Sequence, residues 1–291
     1  MKKSIGWIGT GVMGRWMAHH VLPLASQLYV HNRSPHKTLE LVEEGAIALA
    51  SPAEVGAKAS LIFTIVGHPA DVEEVYFGPN GLFRTIKAGT ILVDMSTTKP
   101  SLALKIAQEA KARDCYSLDA PVSGGDVGAR LGKLSIMVGG EESTYNQILP
   151  YFAKMGKSTL QGPNGSGQHT KMCNQIVIAG TMIGMTEALL YSERALLDQK
   201  RLIETISQGA AGCWTLDNLA PRVLQNDFDP GFMVDHFVKD MQIALEECRR
   251  MGITLPGLTL VEQLYRTLQE AGEGSLGTQG LLLALRRINS N

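Results

Sequence analysis

Lys171 and Asn174 stand three positions apart in the stretch Gly165-Ser166-Gly167-Gln168-His169-Thr170-Lys171-Met172-Cys173-Asn174-Gln175. On a helix that spacing puts both side chains on one face. A lysine there can give or take the proton of a reacting hydroxyl; near neutral pH this needs its pKa brought down from about 10.4, which partial burial supplies. Asn174 has both a donor and an acceptor with which to orient a hydroxyl or a carboxylate. From Met172 to Leu190 apolar or small residues lie on nearly every side, so this helix is predicted to be buried most of the way round. The spacing equally allows a lysine that snorkels to water from a helix end.

A second chemical signal opens the chain. Gly9-Thr10-Gly11-Val12-Met13-Gly14 follows the apolar strand Ile5–Ile8 and precedes a helical segment. A dinucleotide site needs its glycines there: one for the turn, one for approach of the pyrophosphate, one for close helix packing. The next strand ends in His31-Asn32-Arg33-Ser34, with no carboxylate for a ribose 2′-hydroxyl and with an arginine in reach. A guanidinium suits a phosphate, so NADP(H) is the expected cofactor, with NAD(H) as the lesser one.

Asp94-Met95-Ser96-Thr97-Thr98-Lys99-Pro100 closes another strand, at the end where open α/β sheets bind ligands; its hydroxyls could equally cap the next helix. Ser123 followed by Gly124 and Gly125 offers a hydroxyl and free backbone N–H groups, a cradle for a small carboxylate, or else a tight hairpin connection. Lys239-Asp240, with Phe232 upstream, reads on residues alone as a solvated charge pair. His169 and His236 are isolated, and no cluster has metal-ligand spacing, so metal-independent chemistry is expected.

The elements that must position these residues change character along the chain. Up to Gly162-Pro163, apolar strands such as Leu61–Val66 and Ile91–Asp94 alternate with helices, which predicts a mostly parallel, doubly wound sheet. Leu134–Val138 and Lys157–Leu160 are expected as edge strands, and Pro35 to Glu44 as one helix. Beyond, apolar residues recur at helical spacing, as in Val238, Met241, Leu245 and Cys248, or Leu260, Leu264 and Leu268. The expected organisation is a Rossmann domain over 1–163 and an all-helical domain over 164–291, opened by a long helix at about 165–195.

Composition narrows the function classes. A net charge of −1 without a basic block gives no reason to expect nucleic acid. The four cysteines are widely spaced, which suggests reduced thiols and a cytoplasmic location. Gly180, Thr181, Gly184 and Glu187 interrupt the apolar helix, which argues against a membrane span.

Five motifs in register resemble the β-hydroxyacid dehydrogenase family, which includes 3-hydroxyisobutyrate dehydrogenase, tartronate semialdehyde reductase and glyoxylate/succinic semialdehyde reductase. They are Ile5–Gly14, Asp94–Thr97, Asp119-Ala120-Pro121-Val122-Ser123-Gly124-Gly125, Gly167-x-x-x-Lys171-x-x-Asn174, and Lys239-Asp240. The resemblance implies that Lys171 is the catalytic acid/base and that Ser123, Gly124, Gly125 and Asn174 hold a small carboxylate-bearing substrate. It implies that Val66, Gly67 and Thr97 lie on the nicotinamide side, and that Lys239 lies close to cofactor and substrate. Asp240 would support the site, Phe232 would line it, and the helical domain would pack in dimers or tetramers. Two departures stand out: Gly272–Gln279 lacks the aspartate many members carry, and Gly67-His68-Pro69 replaces their Leu-Pro pattern. Gln175 resembles the tartronate semialdehyde reductase branch. The expected activity is hydride transfer between NADP(H) and a small 3-hydroxy acid or its semialdehyde. An imine reductase or a non-catalytic NADP-binding module of the same architecture are the alternatives, and Lys171 weighs against both.

Overall fold

The computed structural model describes residues 2–290. The chain forms two compact units, one ending at Lys171 and the other beginning at Met172. The limit therefore falls inside a helix, not ahead of it at 163/164, because that helix's first turn is hydrogen-bonded to strand ends of the first unit.

The first unit runs β1 (Ser4–Ile8), α1 (Gly14–Val21), β2 (Gln27–His31), α2 (Leu39–Glu43), β3 (Ile47–Ala48), α3 (Pro52–Lys58), β4 (Leu61–Thr64) and α4 (Pro69–Phe77). It continues with β5 (Ile91–Asp94), α5 (Pro100–Lys111), β6 (Tyr116–Asp119), β7 (Val122–Ser123), α6 (Gly125–Leu131), β8 (Leu134–Gly140), α7 (Glu142–Met155) and β9 (Gly156–Gly162). The strands lie in the order β3-β2-β1-β4-β5-β6-β8-β7, with β9 also paired to β8. All pairs from β3 to β6 are parallel, whereas β8 runs antiparallel to β6 and β7. The parallel part is the doubly wound Rossmann order, and its direction reverses between β1 and β4, where such sheets bind ligands.

Alternation along the strands builds a core on each face. Trp7, Phe63 and Val93 pack with Met17 and Phe152 on one side. Ile8, Ile62 and Leu92 pack with Val55 and Tyr76 on the other. This two-sided burial explains the uninterrupted apolar runs in β4 and β5.

Two sequence expectations need correction here. Of the two strands assigned to the edge, β8 lies inside: β6 and then β7 pair along one side of it in a single antiparallel register, and β9 runs parallel along the other, a long-range pairing that periodicity does not reveal. The helix expected from Pro35 is a 3-10 turn over Pro35–Thr38 followed by α2; Thr38 Oγ1 donates to the Pro35 carbonyl at 2.7 Å and tightens the turn.

The second unit follows α8 (Ser166–Arg194) with α9 (Gln199–Ile206), α10 (Trp214–Asn218), α11 (Ala220–Leu224), α12 (Val234–Met251), α13 (Pro256–Glu270) and α14 (Leu281–Ile288). Met182, Met185 and Leu189 of α8 pack with Phe237, Met241 and Tyr265 in its core. By length and composition α8 is apolar enough to cross a membrane, but these contacts make it the core helix of the second unit.

Its burial is less extensive than the expected burial most of the way round. Cys173, Val177, Gly180, Gly184, Glu187 and Tyr191 form an exposed face, with Tyr191 75% accessible. Apolar composition marked this face as interior, but its glycines and lone large side chains find no core within the chain. In α13 the periodicity holds but the phase differs: Leu258, Val261, Tyr265 and Leu268 are buried, while Leu260 points outward.

Candidate active site

The glycine loop joins β1 to α1 at the sheet's reversal. Gly9 has φ +96°, and a Cβ there would run into the Ile65 carbonyl; a Cβ on Gly14 would run into the Gly9 carbonyl. Gly11 differs, since a Cβ there would meet nothing within 4 Å. Two glycines are thus required by the fold, and the third leaves backbone open to a ligand. Thr10 Oγ1 in the same loop is buried without a hydrogen-bond partner. An open glycine and an orphaned hydroxyl at the N-terminus of α1 fit a dinucleotide pyrophosphate. Val12 is exposed and Met13 half-buried beside them.

The end of β2 is tied to this loop. Thr10 N–H donates to Asn32 Oδ1 at 3.0 Å, and Asn32 Nδ2 donates to the Ser34 carbonyl at 3.0 Å. Arg33 projects from the turn with its side chain 88% exposed and pairs with Asp71 at 2.8 Å.

Asp94 braces the turns after β4 and β5. Its Oδ1 accepts from Thr64 Oγ1 at 2.9 Å and from Ser96 N–H at 3.0 Å, while Ser96 Oγ receives the Val66 N–H at 2.9 Å. The segments carrying Val66-Gly67 and Thr97 are therefore held by one carboxyl. Burial pushes the Asp94 pKa up to about 6, opposed by the hydrogen bonds from Ser96 and Thr64 and aided by the neighbouring Asp119 charge.

Asp119 and Gln168 fix the start of α8. Asp119 accepts from Gly165 N–H at 2.7 Å and from Gln168 N–H at 2.9 Å, satisfying donors that a helix start leaves open. Burial raises its pKa, and these backbone bonds pull the other way. Gly167 allows the approach, since a Cβ there would lie 2.5 Å from the Asp119 and Met137 carbonyl oxygens. The Gln168 side chain then accepts from Thr98 N–H at 3.0 Å and donates to the Ser96 carbonyl at 2.8 Å, clasping the Thr97 turn from both sides.

One helical turn further along, Lys171 is buried, and its Nζ donates to the Val122 carbonyl at 2.9 Å. This rules out a lysine snorkelling to water. Val122 immediately precedes Ser123, Gly124 and Gly125, and β7 gives way to α6 at that point, with φ +131° at Gly124 and +64° at Gly125. The ammonium group thus sits at the base of the expected carboxylate cradle. That cradle contains both the hydroxyl and the hairpin-like pairing to β8 that the sequence left as alternatives.

The second unit assembles a polar chain. Asn174 Nδ2 donates to Gln175 Oε1 at 2.7 Å, and Gln175 Nε2 donates to Asp240 Oδ2 at 2.7 Å. Lys239 Nζ lies 3.0 Å from Asp240 Oδ1, with the two side chains 14% and 2% exposed, so this charge pair is not the solvated one that residue types alone suggested. Phe232 packs its ring near His236 and Phe237. Across the stretch that lacks the family aspartate, Gln279 Nε2 donates to the Asp227 and Asp229 carbonyls and Gly277 N–H to the Phe228 carbonyl, securing the loop that leads to Phe232.

Sequence reasoning did not single out Gln168 or Asp71. The signal for Gln168 was its position one turn before Lys171 in a glycine-rich helix start. For Asp71 it was an acid in the first turn of a helix begun by Pro69.

Comparisons with known proteins agree with this fold. Residues 4–173 match the NAD binding domain of 6-phosphogluconate dehydrogenase, and residues 165–285 match the NAD-binding domain described for NADP-dependent 3-hydroxyisobutyrate dehydrogenase. A probable 3-hydroxyisobutyrate dehydrogenase-like 1 protein, mitochondrial, of Arabidopsis thaliana is 50% identical, over 99% of this chain and 86% of its own. The 2-hydroxy-3-oxopropionate reductase of Escherichia coli is 35% identical, over 97% of each chain. Among solved structures, 3-hydroxyisobutyrate dehydrogenase of Mycobacterium tuberculosis with L-serine superimposes with a TM-score of 0.90 at 27% identity, covering 98% of this chain and 100% of that one. With a doubly wound cofactor domain, a buried lysine under a serine-glycine loop and whole-chain relatives of this kind, the chain belongs to the β-hydroxyacid dehydrogenase family of nicotinamide-dependent oxidoreductases.

Proposed function

We propose that the protein transfers hydride between NADP(H) and a small 3-hydroxy acid or the matching semialdehyde, with Lys171 moving the proton. The observation that carries the reading is the burial of Lys171 with its Nζ on the Val122 carbonyl, at the foot of the Ser123–Gly125 loop. Nicotinamide, when bound, supplies or takes the hydride. Ser123 Oγ and the Gly124 and Gly125 N–H groups hold the substrate carboxylate, and Lys171 Nζ exchanges a proton with the reacting oxygen. Asn174 orients that oxygen, itself oriented by Gln175 and Asp240, and Asp240 fixes Lys239.

Gly9, Gly11 and Gly14 hold the pyrophosphate in this reading. Asn32, Arg33 and Ser34 take the adenosine side, and Val66, Gly67 and Thr97 the nicotinamide side. Preference for NADP(H) is supported by the absence of a carboxylate on β2 and by the exposed Arg33.

The proposal extends to a homodimer or homotetramer, supported by the exposed α8 face of Cys173, Val177, Gly180, Gly184 and Tyr191. A monomer by light scattering at micromolar concentration overturns that part. All four cysteines are free, which supports a reducing compartment such as the cytoplasm.

The test of the main reading is nicotinamide absorbance with NADP(H) and NAD(H) against 3-hydroxy acids, semialdehydes, glyoxylate and cyclic imines. Turnover of a hydroxy acid or semialdehyde is expected. Turnover of imines alone, or cofactor binding without any turnover, rejects it.

A further inference from the structure

Arg33 does not project alone. Its Nη1 donates to Asp71 Oδ1 at 2.8 Å, and the other oxygen of that carboxylate accepts the His68 N–H at 3.1 Å. Asp71 belongs to the first turn of α4, where its backbone is fixed and its side chain is only 25% exposed, whereas the Arg33 side chain lies largely in solvent. The missing acid at the end of β2 is thus replaced in space by one from another element.

From this pairing we infer that Asp71 is a specificity-determining residue that weakens discrimination for NADP(H) over NAD(H); the inference rests on Arg33 meeting the 2′-phosphate, as proposed above. A guanidinium has five N–H donors, and a contact through Nη1 leaves several for a phosphate. Two effects of the carboxylate compete. It orders Arg33, which favours binding, and it places a fixed negative charge beside an arriving dianion, which opposes binding. Ordering is the weaker effect, because one contact on a side chain 88% exposed leaves most of its freedom in place. Repulsion acts on the full phosphate charge and is absent for NAD(H), whose ribose 2′-hydroxyl is neutral. Asp71 therefore lowers NADP(H) affinity selectively and keeps the enzyme open to both cofactors.

The experiment measures NADPH and NADH dissociation constants by nicotinamide fluorescence, without substrate, for the wild type, Asp71→Asn, Arg33→Ala and the double variant. Asn retains an oxygen for the His68 N–H, and Asp71→Ser, which also keeps an acceptor, provides a second neutral variant. Both are expected to tighten NADPH by about three- to tenfold while NADH stays within about twofold, with the gain shrinking as salt rises. In the Arg33→Ala background NADPH binds more weakly overall, and a gain on neutralising Asp71 should remain, because the repulsion acts between the carboxylate and the phosphate themselves. Weaker NADPH binding in both neutral variants, or equal changes for the two cofactors, overturns the inference. If Arg33→Ala leaves the NADPH to NADH ratio unchanged, the 2′-phosphate reading falls and this inference with it. A ratio lost in Arg33→Ala without a gain in either Asp71 variant overturns the inference alone.

Discussion

Lys171 Nζ donates to the Val122 carbonyl across 2.9 Å, so the buried ammonium on α8 is held by the residue that leads into Ser123, Gly124 and Gly125. A positive charge out of water needs such a partner. The proposed role of Lys171, proton exchange with a substrate held by the serine-glycine loop, makes a direct prediction. Lys171→Ala should lower kcat by about 10²- to 10⁴-fold, the usual contribution of a positioned acid or base. NADPH affinity, read by fluorescence, should stay within a few fold. Near-wild-type kcat in this variant would reject the assignment.

The three loop glycines should separate cleanly under substitution. Gly11→Val adds a side chain where a Cβ meets nothing within 4 Å, so the melting temperature should hardly move. Cofactor affinity should fall at least about tenfold, because the added methyls occupy the approach of the pyrophosphate. Gly9→Val and Gly14→Val place a Cβ against backbone carbonyls and should lower stability before any question of binding arises. A Gly11→Val protein that binds NADPH normally would show that the phosphates lie elsewhere.

Gln168 bonds α8 to the Thr97 turn twice, and both bonds are buried. Gln168→Leu leaves the Thr98 N–H and the Ser96 carbonyl unpaired, at about 1–3 kcal/mol for each buried group. Chemical denaturation should show a loss in that range or up to twice it. Among the folded molecules kcat should fall more than substrate KM changes, as the clasp positions the Thr97 turn relative to the start of the lysine helix. Unchanged stability would mean that water or another group replaces the amide.

Asp94 predicts a pH signature. Its folded pKa is about 6 against an ordinary value of 3.8, so between these limits the folded state holds a proton that the unfolded chain has released. Its contribution to stability is complete below about pH 4 and is lost as pH rises through about 6. The shift of about two units corresponds to up to about 3 kcal/mol. In Asp94→Asn that loss should disappear, so the variant gains on the wild type between pH 4 and 7. Parallel unfolding free energies across this window would show that Asp94 ionises at no cost.

How much of this was legible beforehand depends on the range over which each feature is decided. The glycine loop, the change from strand alternation to helix, and the Lys171–Asn174 spacing are local patterns, fixed by turn sterics and side-chain periodicity within a few residues. They placed the Rossmann unit and the helical unit and pointed to the residues proposed for the cofactor. Composition misjudged α8, because an apolar residue looks the same whether its face meets the core, as Met182 does, or solvent, as Val177 does.

What the tertiary structure decided was the set of partners. Lys239-Asp240 as a dipeptide suggests a solvated charge pair, and only folding brings Gln175 to it from a helix more than sixty residues earlier. Arg33 suggested a phosphate site, but its acid arrives from α4, thirty-eight residues on. Local sequence sets which groups a segment presents, through backbone sterics and periodicity. Which groups meet, and how each buried charge is satisfied, follows from long-range packing that brings distant segments within hydrogen-bond distance.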